Sequence, residues 1–510
     1  MVNFFLPETS PYKLQSVRKQ YTVDQDKGTH PRVTFRNTER LLRENFPQKQ
    51  FRLIDINEQE GFYSYDYTDG LISQHGKGAT KDQAKASAIM EFSERFSWVN
   101  YDYKNACNGY IKDSFNNLKQ QYDIEHYYRS FTTLTDNQES LDIFTSTKLD
   151  WVKAYSLTKN KYTLYPISWN NNFQTSNGLA TGNSKEEAIV QGICEVIERH
   201  NVSIFIRGYK EMGITEIDIE TIKSEVVLGL INILQSNNIE IHILNVGQDV
   251  AVPTFIAMAI DHKPKKEIVR IGFGYGCHTD PEKAIIRAIT EYVQGREGHL
   301  KSNDISATIR PKLGNWQFNL SLDYEYILAN VNKIKLEELP NLGLDDFRDE
   351  VNCLVEILRL KDIDVVLIDK THPLLKIPVY RIFTPGLYDH SGFSTISRQV
   401  TGSTAQTLFQ AGLVEEANKY FRKHFAEFNQ EMSVLRDFIA EIVGENYKLN
   451  AMGISILKTK LSAVDFAGQM GVDALFAEDF QKQILASREF LNKDNKSMGM
   501  MQEIIKNIKI

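Results

Sequence analysis

Hydrophobic and polar positions along the chain change rhythm twice. Residues 1 to 50 are polar and mixed, and "DQDKGTHPR" from Asp24 reads as a loop within this N-terminal segment. From Phe51 onward, short runs rich in β-branched and aromatic residues alternate with stretches of helical period. The clearest strand-like runs are "WVKAYSL" from Trp151, "IEIHILNV" from Ile239, "PTFIAMAI" from Pro253, "DVVLID" from Asp364 and "IPVYRIFT" from Ile377. Strands mixed with amphipathic helices predict an α/β or α+β domain over residues 51–400. After about Thr401 the strand signals fade, and helical periodicity predicts an all-helical extension over 401–510. Its first part, "AGLVEEANKYFRKH", fits a tetratricopeptide-like helix pair. One such unit is weak evidence for a repeat, and a plain helical cap is the preferred reading.

Three of the predicted helices carry the same polar stripe. They lie in "GKGATKDQAKASAIMEFSERF" from Gly76, "SNGLATGNSKEEAIVQGICEVIERH" from Ser176 and "GFGYGCHTDPEKAIIRAITEYVQGR" from Gly272. Aligned on Glu91, Glu195 and Glu291, the columns match without gaps. Ala84, Ala188 and Ala284 stand seven residues before the acid, and Ser87, Gln191 and Arg287 four before it. Glu94, Glu198 and Gln294 follow three later. Helical positions four apart differ by about 40° and positions seven apart by about 20° the other way, so these columns share one narrow face. The opposite side is apolar in each copy, with Ile89 and Phe92, Ile193 and Val196, Ile289 and Tyr292. Capping boxes are predicted at Thr80 with Gln83, Ser184 with Glu187 and, one residue out of register, Thr279 with Glu282.

A solvated helix face would explain one copy. It has no need of the same side chains in the same columns at separations of 104 and 96 residues. If the helices converge, Glu91, Glu94, Glu195, Glu198 and Glu291 share a site and repel one another unless cations sit among them. Hard oxygen ligands point to Mg²⁺, and Mg²⁺ commonly arrives with phosphate. Arg287, with Arg95, Arg199 and Arg296 near the motifs, is placed to contact such phosphates. The residues alone therefore predict a nucleoside-triphosphate site with more than one Mg²⁺. No GxxxxGK[ST] segment is present, so the site is not a P-loop.

Bulk properties narrow the class further. The chain has 510 residues, long enough for two or more domains or for one large fold with an appendage. A net charge of -7 argues against duplex nucleic acid or an anionic membrane as the main partner. The four cysteines form no CxxC pair, and no apolar run is long enough to span a membrane; a cytoplasmic location is the expectation. Cys277, beside the third glycine-rich turn, is read as ordinary packing. His200 and His278 share no metal spacing and are read as incidental.

The three motif segments closely resemble the ATP-binding segments of the YcaO family, and the resemblance covers roughly residues 50 to 395, including "YRIFTPGLYD" from Tyr380. A helical extension behind the domain is also the layout of the family's founding bacterial member. The resemblance implies a fold of the family's own, ATP and Mg²⁺ as cofactors, and phosphorylation or adenylation of a backbone amide oxygen in a peptide or protein substrate. A nucleophile then attacks the carbonyl carbon, giving an azoline, a thioamide or an amidine. Carried over by position, Glu91, Glu94, Glu195, Glu198 and Glu291 resemble the family's Mg²⁺ ligands or their support. Ser87, Asn183, Arg199 and Arg287 resemble its ATP contacts, and Lys77, Gln191, Gln294 and Arg296 are weaker candidates. Glu91, Glu195, Glu198, Glu291 and Arg287 are the residues expected to carry catalysis. A homodimer and a partner that delivers substrate or sulfur are also implied. Azoline-forming members typically carry a proline-rich tail. No proline follows Pro385 here, which favours a thioamide or other non-azoline product. Alternatives are an ATP-binding accessory protein for a ribosomal-protein methylthiotransferase, an azoline-forming cyclodehydratase, and a ligase or kinase acting on a small molecule.

Overall fold

The structure, a computed structural model, describes residues 12–100, 109–128, 137–167, 176–266, 269–301 and 323–387, together with 404, 408 and 411–423. Most of the predicted helical extension lies outside these residues, although a helix at Val414–Lys423 falls within it. Helices and strands are mixed as expected. Among the described residues no helix is long and apolar enough to cross a membrane.

The strands form three sheets. The first is β1 (Arg52–Gln59), β2 (Phe62–Thr68) and β3 (Ser73–Gly78), in that order. A six-stranded sheet runs β4 (Ile111–Ser114), β5 (Lys148–Ser156), β13 (Val366–Asp369), β14 (Val379–Phe383) and β7 (Leu179–Thr181), with β6 (Lys161–Pro166) also paired to β5. A five-stranded sheet runs β11 (Ile271–Cys277), β10 (Thr254–Asp261), β9 (Ile239–Asn245), β8 (Ile214–Ile217) and β12 (Val331–Ile334). All five strand-like runs read from the sequence are strands. The motif strands β3, β7 and β11 each sit at the edge of a different sheet.

Each edge strand leads into a motif helix. Helix α1 (Pro31–Asn45) precedes them all, followed by α2 (Lys81–Val99), α3 (Lys185–Met212), α4 (Glu225–Ser236), α5 (Pro281–Lys301) and α6 (Phe347–Leu360). The Thr80 hydroxyl accepts from the Gln83 N–H at 3.2 Å and Ser184 from Glu187 at 3.1 Å. In the third copy the predicted cap at Thr279 is displaced. Asp280 caps instead, accepting from the N–H groups of Glu282 at 2.9 Å and Lys283 at 3.4 Å. This brings all three caps to the same column, eleven residues before the central acid. A carboxylate suits a helix N-terminus at least as well as a hydroxyl, and Thr279 is freed to donate to Glu350 at 2.7 Å.

The motif helices lie unusually close to their strands. A Cβ on Gly76 would sit 2.0 Å from the backbone N of Ala88, and one on Gly276 would sit 2.1 Å from the carbonyl oxygen of Ala284. In the second copy Ala180 occupies the strand column of Gly76 and Gly276. There the close approach on the strand side is made by Gly182, where a Cβ would fall 2.5 Å from Ala188 N, and in this column the missing Cβ is on the helix. Gly192 replaces Ala88 and Ala288, and a Cβ on it would meet Ile382 Cγ1 at 2.4 Å. Every copy therefore pairs a glycine with an alanine across the contact, on alternate sides. The apolar faces are buried as predicted: Ile89, Phe92, Ile193, Val196, Ile289 and Tyr292 are each at most 1% exposed.

The N-terminal segment is built into this arrangement. Helix α1 buries Leu42 against Phe92 and Phe96 of α2 and against Tyr67. Before it, residues 15–30 form a strap across the helix starts. Gln15 N–H donates to Glu186 at 2.7 Å and Gly28 N–H to Glu187 at 3.0 Å. Lys19 donates to both Asp26 and Glu350 at 2.6 Å, and Lys283 to Asp26. The strap thus joins the first turns of α3, α5 and α6. His278 lies under it, 3.8 Å from Asp26. Burial pushes this imidazole down from 6.5 to about 3, against the pull of Asp26.

Two outcomes follow from this packing. Gly276→Ala is expected to lower unfolding free energy by about 2–3 kcal/mol, the cost of overpacking against backbone. Gly229→Ala in α4, where a Cβ meets nothing within 4 Å, should instead gain about 0.5–1 kcal/mol; urea titration compares the two. His278 is neutral in the fold but protonates in the unfolded chain below pH 6.5. Its stabilising share is therefore complete above that pH and is lost as pH falls toward 3. Between pH 6.5 and 4, His278→Gln should lose less stability than the parent, by about 1.4 kcal/mol per pH unit. Equal slopes in urea titrations across that range would contradict the assignment.

Candidate functional site

The three polar columns face one cavity of about 520 Å³. Ser87, Glu91 and Glu94 enter from α2, Gln191, Glu195 and Glu198 from α3, and Arg287, Glu291 and Gln294 from α5. Lys77 on β3, Asn183 before α3 and Arg199 on α3 also line it. Arg95 lines it as well, so thirteen of the fourteen residues singled out from the sequence are assembled in one place. Arg296 is not among the lining residues. It donates to Asp261 on β10 at 2.6 Å, because its position five residues after Glu291 turns it off the stripe.

The carboxylates are compensated by the protein's own cations. Lys77 Nζ donates to Glu291 at 2.8 Å, and Arg95 donates to Glu94 at 2.8 Å and lies 3.8 Å from Glu91. Arg199 is 4.0 Å from Glu198. Two acids also accept from backbone: Glu195 from Gly178 N–H at 3.1 Å and Glu198 from Cys277 N–H at 3.0 Å. Repulsion among the acids calls for cations in the cluster, and the protein supplies them as side chains. Among the described residues no three His, Cys, Asp or Glu side chains converge on a common metal position. Each carboxylate is drawn toward a lysine, an arginine or a backbone N–H rather than toward its fellows.

Burial and charge then set these acids apart from one another. Burial raises Glu94 well above the carboxylate range, helped by Glu91 and Glu195. Glu198 is pushed up to about 7 by burial and by the charge of Glu291, which Arg287 and Arg199 only partly offset. Glu291 is only half-buried, and Lys77, Arg199 and Arg287 outweigh its desolvation and hold it below its ordinary value. The two neighbouring acids are thus shifted in opposite directions, Glu198 upward and Glu291 downward.

Several lining groups escaped the sequence reading. Asp24, Gln25 and Lys27 of the strap line the cavity, as do Thr34 of α1 and Glu187 in the first turn of α3. Thr34 donates to Asn183 at 2.7 Å, and the Asn183 amide donates to both Glu187 oxygens. The mixed charges of "DQDKG" were the available signal, but nothing local says which helices a loop will cross. Arg381 on β14 is 1% exposed, and its charge bears on Glu94 and Glu195. Its place in a strand pattern hid it. Of the side features, the buried Cys277 side chain packs in the core with Cys194. His200 pairs with Asp249 at 2.8 Å rather than with a metal position.

The donor set suits a magnesium–nucleotide complex. The acids supply hard oxygens, and Mg²⁺ needs only one or two protein carboxylates when phosphates and water complete its shell. Arg287 donates one N–H to Gln191 at 2.9 Å, while its buried Nε has no hydrogen-bond partner among the described residues. An unpaired guanidinium donor in a cavity is what a phosphate oxygen would satisfy.

Known proteins resemble this chain at the same elements. A family model described as YcaO cyclodehydratase, ATP- and Mg²⁺-binding, matches residues 75–388. An uncharacterised protein of Methanothermobacter thermautotrophicus is 29% identical over 340 residues, covering 62% of this chain and 82% of its own. The Escherichia coli ribosomal protein S12 methylthiotransferase accessory factor YcaO is 24% identical over 363 residues, covering 62% of this chain and 58% of its own. Among solved structures, YcaO from Methanopyrus kandleri bound with AMPPCP and Mg²⁺ has a TM-score of 0.54 at 20% identity, covering 74% of this chain and 96% of that one. A heterocyclase in complex with substrate and cofactor has a TM-score of 0.58 at 21% identity, covering 74% of this chain and 55% of that one. At those identities the two structures speak for the fold. The family match takes in all three motif helices and the strand of Arg381, and this chain belongs to the YcaO cyclodehydratase family of ATP- and Mg²⁺-binding proteins.

Proposed function

We propose that this protein uses ATP and Mg²⁺ to activate a backbone amide of a peptide or protein for modification. The observation that carries the reading is the convergence of matched acid columns from three helices on one cavity that also holds Lys77, Arg199 and Arg287. Bound ATP with Mg²⁺ would supply the phosphoryl or adenylyl group that turns an amide oxygen into a leaving group. Such transfers need positioning and charge neutralisation more than covalent help. In this proposal Glu91, Glu94, Glu195, Glu198 and Glu291 hold Mg²⁺ directly or support the groups that do. Arg287, Arg199 and Lys77 orient phosphate oxygens, with Ser87, Asn183, Gln191 and Gln294 as neutral contacts to the nucleotide.

A thioamide or other non-azoline product is the finer proposal. A separate substrate-delivery or sulfur-transfer protein belongs to the same proposal, as does a homodimer. The name of the E. coli relative supports a second reading, in which the chain binds ATP as an accessory to a methylthiotransferase. Turnover in the absence of other proteins separates the two.

Two measurements test the site. ATP should raise the melting temperature when Mg²⁺ is present and leave it unchanged in EDTA; equal stabilisation in both would count against a metal-bridged nucleotide. Glu195→Gln keeps an acceptor for Gly178 while removing a charge that burial disfavours. Its ATP turnover should fall roughly 100-fold or more, the scale for losing a group that organises transition-state charge. Its melting temperature without nucleotide should hold or rise. Glu225→Gln, exposed in the first turn of α4, is the control and should change turnover less than twofold, given that surface substitutions are near neutral. Full turnover in Glu195→Gln would sink the assignment.

A further inference from the structure

The groups assigned to ATP and Mg²⁺ leave one task without an owner: taking the proton of the attacking nucleophile. The five acids already face Lys77, Arg95, Arg199 or a backbone N–H. A base should be an unspent acceptor that opens into the cavity. Strand β3 carries one.

Alternation along β3 separates two faces. Gly76 and Gly78 lie against α2, where a Cβ on either would collide with the helix backbone. His75 and Lys77 therefore share the opposite face, with Cα atoms about 6.5–7 Å apart. Both line the nucleotide cavity, and Lys77 reaches Glu291 of α5. Directly opposite His75 in the β2–β3 ladder stands Asp66. Its Oδ1 lies 2.6 Å from His75 Nδ1, and the ring makes no other hydrogen bond among the described residues.

Asp66 does not line the cavity, so the imidazole stands between this carboxylate and the cavity. With the Nδ1 proton donated to Asp66, Nε2 is left as an acceptor. The His75 side chain is 31% exposed, so the ring is open to an incoming group. Charge around it comes from Asp66 on β2, Lys77 on β3, Glu91 with Arg95 on α2, and Glu291 on α5. A His–Asp pair across two strands also stabilises a hairpin. A pair serving only that end has no need to face the cavity beside Lys77. An imidazole fixed by a carboxylate, with its far nitrogen free toward the reactants, is the arrangement of a general base.

We propose that His75 is the general base of the reaction, its Nε2 taking the proton of the attacking nucleophile, with Asp66 as the positioning residue that fixes the tautomer. The proposal rests on the amide-activation reading above. In this step the nucleophile's heteroatom bonds to the amide carbon as its proton passes to Nε2, and the C–O π pair moves onto oxygen. That oxygen takes the phosphoryl or adenylyl group, and ADP or pyrophosphate leaves. Without a peptide, water is the nucleophile. Its oxygen bonds to phosphorus, its proton goes to Nε2, and the same group departs.

Two readouts test this, and the first needs no ATP. The full chain is labelled with ¹⁵N in its histidine rings and observed in alkaline buffer. The His75 signals, identified by their loss in His75→Gln or their shift in Asp66→Ala, should report a proton on Nδ1 and none on Nε2. Asp66→Ala should lose that preference. A proton on Nε2 in the parent would overturn the proposal. The second readout is ATP turnover with Mg²⁺ and no added peptide. His75→Gln keeps a donor for Asp66 but has no ring nitrogen, and its turnover should fall roughly 100-fold or more. Its melting temperature should still rise with ATP and Mg²⁺ as the parent's does; loss of that rise would make His75 a nucleotide contact and end the assignment as base. His75→Ala leaves space for free imidazole, which should restore turnover severalfold, whereas a merely structural histidine would gain nothing. Asp66→Ala should lower kcat and leave KM for ATP unchanged, and with the tautomer it decides the matter if the His75 variants do not fold. Normal turnover in His75→Gln beside an inactive Glu195→Gln removes the base alone. A parent that binds ATP with Mg²⁺ and turns none over removes the amide-activation reading, and the base with it.

Discussion

Five acids held in one partly buried cavity set the terms for the rest of this molecule. Like charges removed from water cannot all ionise unless opposite charges accompany them. Here each copy of the strand–helix unit brings both signs. The first contributes Lys77 and Arg95 with Glu91 and Glu94; the second contributes Arg199 with Glu195 and Glu198; the third contributes Arg287 with Glu291. Pairing also crosses between copies, since Lys77 from the first neutralises Glu291 from the third, and Arg287 from the third holds Gln191 from the second. Only the second copy carries more acids than cations, but the contacts cross between copies, so the pairing seen here needs all three in place.

Bringing three helices to one point from three different sheets is a packing problem before it is an electrostatic one. The solution is the glycine–alanine contact between each edge strand and its helix. The second copy keeps a strand-side glycine at Gly182, where a Cβ would sit 2.5 Å from Ala188 N, and adds Gly192 on the helix against Ile382 of β14. Using edge strands leaves the outer flank of each sheet open for the helix turn to carry polar residues inward. The strap then joins the first turns of α3, α5 and α6 through Glu186, Lys283 and Glu350, holding the helix starts against the same repulsion from outside the cavity.

The site was more legible in the sequence than its surroundings were. The repeat of Glu91, Glu195 and Glu291 with flanking columns is a local pattern, and local helical geometry turns columns into a face without further knowledge. Strands such as "PTFIAMAI" were readable for the same reason. What could not be read was anything decided by contact across the chain. Arg296 is adjacent to a motif but answers to Asp261, 35 residues away. Lys27 and Asp24 lie over 150 residues from Glu187, whose cavity they line. The cap at Asp280 was missed by one residue because a threonine beside it offered an equally good local signal; a competing bond from Thr279 to Glu350 decided between them.

The same charge balance constrains how the proposed ligand can enter. In the structure the cations are spent on the carboxylates, with Lys77 on Glu291 and Arg95 on Glu94. An anion entering alone would draw Lys77 and Arg287 toward itself and leave acids behind with nothing to compensate them. Burial already pushes Glu94 and Glu198 upward, so the cost would fall on groups least able to bear charge. A divalent cation entering alone would meet the acids but release lysine and arginine side chains into the same confined space. Only when both signs arrive together is each set of protein charges handed from one partner to another. The proposed coupling of nucleotide to metal would then rest on the interleaving of Glu, Lys and Arg across the three helices, and not on any single ligand residue.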